Sequence, residues 1–92
     1  MFGLKNLELI IQKTINKKRI KLWTILLIAQ PRPSYFPACY YGRGSTYEKL
    51  GEYALAIDDY DKTIEKALDE SWNKSVKDKK EYLFEQHPEL KP

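Results

Sequence analysis

The chain has 92 residues, a formal net charge of +3, 42% hydrophobic and 32% charged residues, and a single cysteine. That length allows one domain at most, with a small core and a thin stability margin, and the balance of apolar and charged residues argues against wholesale disorder. A lone Cys39 excludes an intramolecular disulfide and a thiolate metal cage; beside aromatic residues it reads as a small buried hydrophobe.

In the first segment, Leu4, Leu7, Ile11 and Ile15 fall on one helical stripe with Ile10 beside it, and Glu8 and Gln12 lie on its border. Asn16-Lys17-Lys18-Arg19 reads as a break or exposed turn, although nothing in it forbids one continuous helix. A second apolar segment follows, Ile20 to Gln30. Its run Leu22–Ala29 is too short to span a bilayer as a helix. A signal peptide or anchor at 17–29 is the alternative reading. Against it stand the long preceding segment and Leu27, which occupies the place where a cut after Ala29 needs a small residue. A buried helix in a cytoplasmic protein, with no membrane partner, is the expectation. Lys17, Lys18, Arg19 and Lys21, and again Lys74, Lys77, Lys79 and Lys80, read as solvated helix faces. No aromatic–basic interleaving accompanies them, so no nucleic-acid partner is expected.

Pro31, Pro33 and Pro37 cannot sit in a helix interior and predict an extended linker over 31–37. A helix is predicted from about Ala38 to Leu50, ended by Gly51, which readily takes the left-handed geometry found past helix ends. The next runs from Glu52 to about Leu68, with Tyr53, Ala56, Ile57, Tyr60 and Ile64 on one face. Asp58, Asp59 and Asp61 read as a solvated face, because on a helix these carboxylates diverge and the glycine of a calcium loop is missing. A last helix spans Ser71 to Gln86, with Leu68, Trp72, Val76 and Leu83 at near-helical spacing, and Pro88 ends it before a frayed tail, 88–92. Nothing reads as a strand. The fold class is all-α with about five helices: N-terminal helices over 1–30, the linker, a hairpin over 38–68 and a capping helix over 69–87.

Glycine inside a helix costs about 1 kcal/mol relative to alanine, so Gly44 is tolerable only if close packing is gained. Gly44 and Ala56 suit the points of closest approach in a hairpin, with Tyr40, Tyr47, Tyr53 and Tyr60 filling the flanking grooves. The pattern Tyr40-x-x-Arg43-Gly44-x-x-Tyr47, Gly51-x-Tyr53, Ala56-x-x-x-Tyr60 resembles one tetratricopeptide repeat over about 37–68. Tyr40, Gly44, Tyr47, Gly51, Tyr53, Ala56 and Tyr60 take its packing positions. The departures are Arg43 where leucine is usual, Thr63 for alanine, and Ala67-Leu68-Asp69 where a proline is expected, so that the second helix is expected to run on further. Leu22, Leu26 and Ala29 are spaced as the second helix of a degenerate preceding repeat would be, with Leu4–Ile15 as its first.

The resemblance implies a protein–protein interaction scaffold without catalysis, cofactor or metal, stacked in a right-handed array and binding an extended peptide or a partner helix in a groove. Tyr41, Arg43, Thr46 and Tyr47, with Lys49 or Leu50, are expected near that groove, Tyr47 half in the core. Arg43 pairs either with an acidic partner group or locally with Glu48 or Asp59. The branch of the family that clamps chaperone tails needs an asparagine where Gly42 stands, which argues against that use. The alternative is a self-associating unit, or a piece of a longer array, in which the apolar Leu4–Ala29 region is an oligomer interface. An enzyme is the remaining class; the sequence offers no acid–base pair, phosphate-cradling loop or metal spacing for one.

Overall fold

A computed structural model describes residues 2–29 and 32–92. Among the described residues there are four α-helices and no strands: α1 (Phe2–Ala29), α2 (Phe36–Lys49), α3 (Tyr53–Lys66) and α4 (Asn73–Gln86). Short 3-10 turns stand at Pro33–Tyr35, Glu70–Trp72 and Pro88–Leu90.

The count of helices corrects the sequence reading from five to four. Residues 16–19 are not a turn; α1 runs through them as one helix of 28 residues. At 1.5 Å per residue it is about 42 Å long, and it sets the 48 Å long dimension of the molecule. Residues 2–29 therefore do not form the two antiparallel helices of a preceding repeat. The physical reason is visible in the turn candidates themselves: lysine, arginine and asparagine do not stop a helix without glycine or proline beside them. Asn16, moreover, is buried at 6% exposure, so its position is inside a helix contact rather than on an exposed turn.

The proline segment is also tighter than expected. Pro33–Tyr35 forms a 3-10 turn, and Pro37 is already in the first turn of α2. A proline there lacks only an N–H that has no intrahelical partner anyway, and its fixed φ suits the helix.

The pairing of α2 with α3 is the most extensive in the molecule. The turn between them is built as the glycine predicts. Gly51 has φ +78°, its N–H donates to the Glu48 carbonyl at 3.0 Å, and the Glu52 N–H donates to the Tyr47 carbonyl at 2.9 Å. Both bonds satisfy carbonyls that the end of α2 would otherwise leave open. On α3, Ala56, Ile57 and Tyr60 are buried, and Tyr53 and Ile64 pack at their edge. Contrary to the expected extension, α3 stops at Lys66, where Ala67 turns extended with ψ 134°. Asp69 then accepts from the Ser71 N–H at 2.8 Å and opens the turn into α4.

Val76 and Leu83 of α4 close the core against α3, with Trp72, Phe84 and Leu90 around them. An ion pair between Lys80 and Asp61 ties the two helices at the surface. Leu68 takes no part and is 76% exposed. His87 stacks on Tyr53 with ring centroids 4.0 Å apart, so the tail after α4 folds back onto the hairpin. On the other side of α2 lies the C-terminal half of α1, with Trp23 pressed against Gly42.

Candidate functional site

The three faces of α2 do three different things. One packs on α3. A Cβ built at Gly44 would lie 2.9 Å from the Tyr60 ring and 3.2 Å from the Asp59 Cβ, so the two backbones approach there as closely as the small residue permits. Tyr60 is fully buried beside it, and Thr63, at the place of the usual alanine, is fully buried with its hydroxyl donating to the Asp59 carbonyl at 2.9 Å. The threonine is thus accommodated without an unpaired hydroxyl.

The second face meets α1. Here a Cβ on Gly42 would fall 2.4 Å from the Trp23 ring, closer than real side chains come. Cys39 and Thr46 are buried, and the Thr46 hydroxyl donates to the Gly42 carbonyl at 2.8 Å. Burial pushes the Cys39 thiol above its ordinary pKa. Arg43 stands at the border of this face. Its Nε and Nη2 donate to the two carboxylate oxygens of Asp59 at 2.8 Å each, and its Nη1 donates to the Thr24 hydroxyl of α1 at 3.2 Å. The rings of Tyr40 and Tyr47 lie 5.6 and 5.8 Å from its guanidinium carbon, within cation–π range. The hydrogen bond with Asp59 holds the guanidinium charged above its ordinary value, against the cost of burial.

Of the residues placed in a groove by the sequence, Arg43 and Thr46 therefore face inward, and Tyr47 packs against the core cluster. Asp59 is not on a solvated face either; it is 2% exposed, whereas Asp58 and Asp61 are exposed. The pairing of Arg43 is the local one.

The third face of α2 carries Tyr41, Ser45 and Glu48, all half-buried, with the exposed Ala38 and Lys49 at its margin. Helix α4 and its leading turn border it. Trp72 lies 5.4 Å from Tyr41 between ring centroids, at 48°, and Tyr41 lies 5.7 Å from Tyr60. The Tyr60 hydroxyl donates to Glu48 Oε1 at 2.7 Å and lies 3.3 Å from the Ser45 hydroxyl. Lys79 of α4 reaches over Tyr41 and Tyr60, 5.7 and 5.8 Å from their centroids, and its Nζ is 3.8 Å from Glu48 Oε1. The result is a half-exposed aromatic platform crossed by one carboxylate and one ammonium group. Burial, with the Glu48 contact, pushes the Tyr60 phenol well above its ordinary pKa.

Sequence reasoning found Tyr41 and missed Ser45, Glu48, Trp72 and Lys79. Ser45 and Glu48 fall four and seven residues from Tyr41, on its own helical face, which is a signal the sequence does contain. Trp72, from the turn that leads into α4, and Lys79, from α4 itself, lie outside the hairpin, and only the packing of α4 brings them in. Among the described residues no group of three or more His, Cys, Asp or Glu side chains is placed to hold a metal ion. No described helix is long and apolar enough to cross a membrane.

The tetratricopeptide repeat family model matches residues 37–68, just over a third of the chain. Comparison with curated proteins and with solved structures gives no match.

Proposed function

We propose that this chain, whose residues 37–68 form one tetratricopeptide repeat, is a protein-recognition unit that holds an extended peptide across the open face of α2. Repeats of this family present the first helix of each hairpin to a protein partner, on a scaffold without catalytic groups of its own. The observation that carries the reading is the platform of Tyr41 and Trp72 with Lys79 above it, on the half-exposed face of α2 that Tyr60 of α3 floors. Rings of this size give a side chain wide contact area, and an ammonium beside them selects for a carboxylate. An acidic peptide would compete with Glu48 for Lys79 in a half-exposed pair whose Nζ–Oε1 distance is 3.8 Å, and Glu48 would keep the hydrogen bond from the Tyr60 hydroxyl.

The test is a screen of displayed linear peptides against the full chain, followed by affinity measurements. Selected peptides should carry a carboxylate. Tyr41→Ala and Lys79→Ala should each weaken them about tenfold, the change that 1.4 kcal/mol produces. Binders indifferent to both substitutions would place the recognition surface elsewhere. A second reading, self-association through the N-terminal helix, is favoured by the apolar residues that α1 leaves exposed, among them Ile11, Leu22 and Ile25.

A further inference from the structure

Among the described side chains, the first half of α1 has no cover. From Lys5 to Ile15 every side chain is exposed, including Leu7 at 55% and Ile11 at 53%. The covered side of the helix begins at Asn16 and continues through Ile20, Trp23 and Leu27. On the opposite side, Glu8, Ile11, Ile15, Lys18, Leu22 and Ile25 follow one another in alternating steps of three and four, and all are exposed. That spacing is the seam of a two-stranded coiled coil, with its knobs in place and no partner helix.

We propose that a second copy of this chain covers this seam, α1 against α1 in antiparallel orientation, with Glu8 of each copy on Lys18 of the other. This deepens the self-association reading and rests on it. The two charges in the seam decide both orientation and register. In a parallel pair, equal positions meet, so Glu8 would face Glu8 and Lys18 would face Lys18, and such juxtapositions are strongly unfavourable. The longest antiparallel overlap sets Glu8 against Ile25 and Lys18 against Ile15, which strips water from four charges and offers them nothing. Moving the register by one heptad sets Glu8 against Lys18 and Ile11 against Ile15, twice each by symmetry. These four layers are then matched in kind, while Leu22 falls opposite position 4 and Ile25 lies beyond the overlap. The overlap spans residues 2–24, about 34 Å of helix. It also keeps the basic clusters at Lys17–Lys21 of the two copies apart, one at each end of the pair. Within each copy α2 packs on the opposite side of α1, at Asn16, Ile20, Trp23 and Leu27.

The experiment is sedimentation equilibrium of the full chain across the micromolar range, with Glu8→Lys, Lys18→Glu and the double exchange Glu8→Lys/Lys18→Glu. Both side chains are exposed and ten positions apart on one helix, so the variants should keep their helicity by circular dichroism. The expected result is a dimer for the natural sequence and association at least about tenfold weaker for each single variant, since each creates two like-charge contacts. The double exchange, which restores opposite charges across the pair, should regain the dimer. A dimer indifferent to the single changes, or one that the double exchange does not recover, overturns this register while leaving self-association in place. A monomer throughout overturns both, and so does a monomer that binds vesicles of anionic phospholipid through α1. None of these outcomes bears on peptide binding at Tyr41 and Lys79.

Discussion

Arg43 and Asp59 are joined by two parallel hydrogen bonds of 2.8 Å, Nε to Oδ2 and Nη2 to Oδ1, between side chains 16% and 3% exposed. A third bond from the same guanidinium reaches Thr24, so one residue ties α2 both to its partner in the hairpin and to α1. Planar fork-to-carboxylate geometry of this kind is specific to arginine.

Removing one member of such a pair leaves the other buried without its charge partner. Asp59→Ala is expected to cost about 3–5 kcal/mol, in the range measured for broken buried pairs. Arg43→Lys keeps the charge but loses the fork and the Thr24 contact, and should cost less than Asp59→Ala. Urea denaturation of the three proteins checks both; equal midpoints would show that the pair contributes nothing beyond a surface ion pair.

The two glycines of α2 predict different failures. Gly44→Ala pushes into the Tyr60 ring and the Asp59 Cβ, and overpacking of this kind costs typically 1–3 kcal/mol of global stability; Gly44→Leu should cost more. Gly42→Ala meets the Trp23 ring first, so α1 should lift from the hairpin while the hairpin stays folded. In a Trp72→Phe background, the fluorescence of Trp23 should shift to the red in Gly42→Ala and stay put in Gly44→Ala.

Tyr60 sets an alkaline limit. Its folded-state pKa is raised by burial first, and the Glu48 contact adds to this. A group raised on folding stabilises fully below its unfolded pKa, about 10 for a phenol, and loses that contribution as pH rises further. Stability should therefore fall as pH climbs above about 10, and the fall should be shallower in Tyr60→Phe. Denaturation series between about pH 9 and 11 in the two proteins measure the slopes; equal slopes would assign the alkaline loss to other groups.

Cys39 is 6% exposed and its thiol is raised by burial. Since the thiolate is the reactive form, a thiol reagent at neutral pH should modify the native chain slowly and the urea-unfolded chain at once. Rapid labelling of the native protein would show that the α1–α2 contact opens readily.

Periodicity and glycine placement determined much of this protein. The α2–α3 hairpin, its glycine turn at Gly51, the apolar face of Ala56, Ile57 and Tyr60, and the close approach at Gly44 all follow from residues within one hairpin. The spacing there is local, and local spacing is what a sequence records. The sequence also holds both sides of α1, the covered one and the seam through Ile11 and Leu22, but it does not say which side α2 will take. Tertiary packing decided the rest. Arg43 looks like a groove residue until α1 and Asp59 close on it, and Asp59 looks solvated until Arg43 arrives from sixteen residues away. Gly42 looks idle until Trp23 presses on it. Lys79 and Trp72 join Tyr41 only because α4 lies along the hairpin. In each case the deciding partner belongs to a different helix, and a helix's own pattern shows which of its faces are apolar or charged but not which neighbour will cover them.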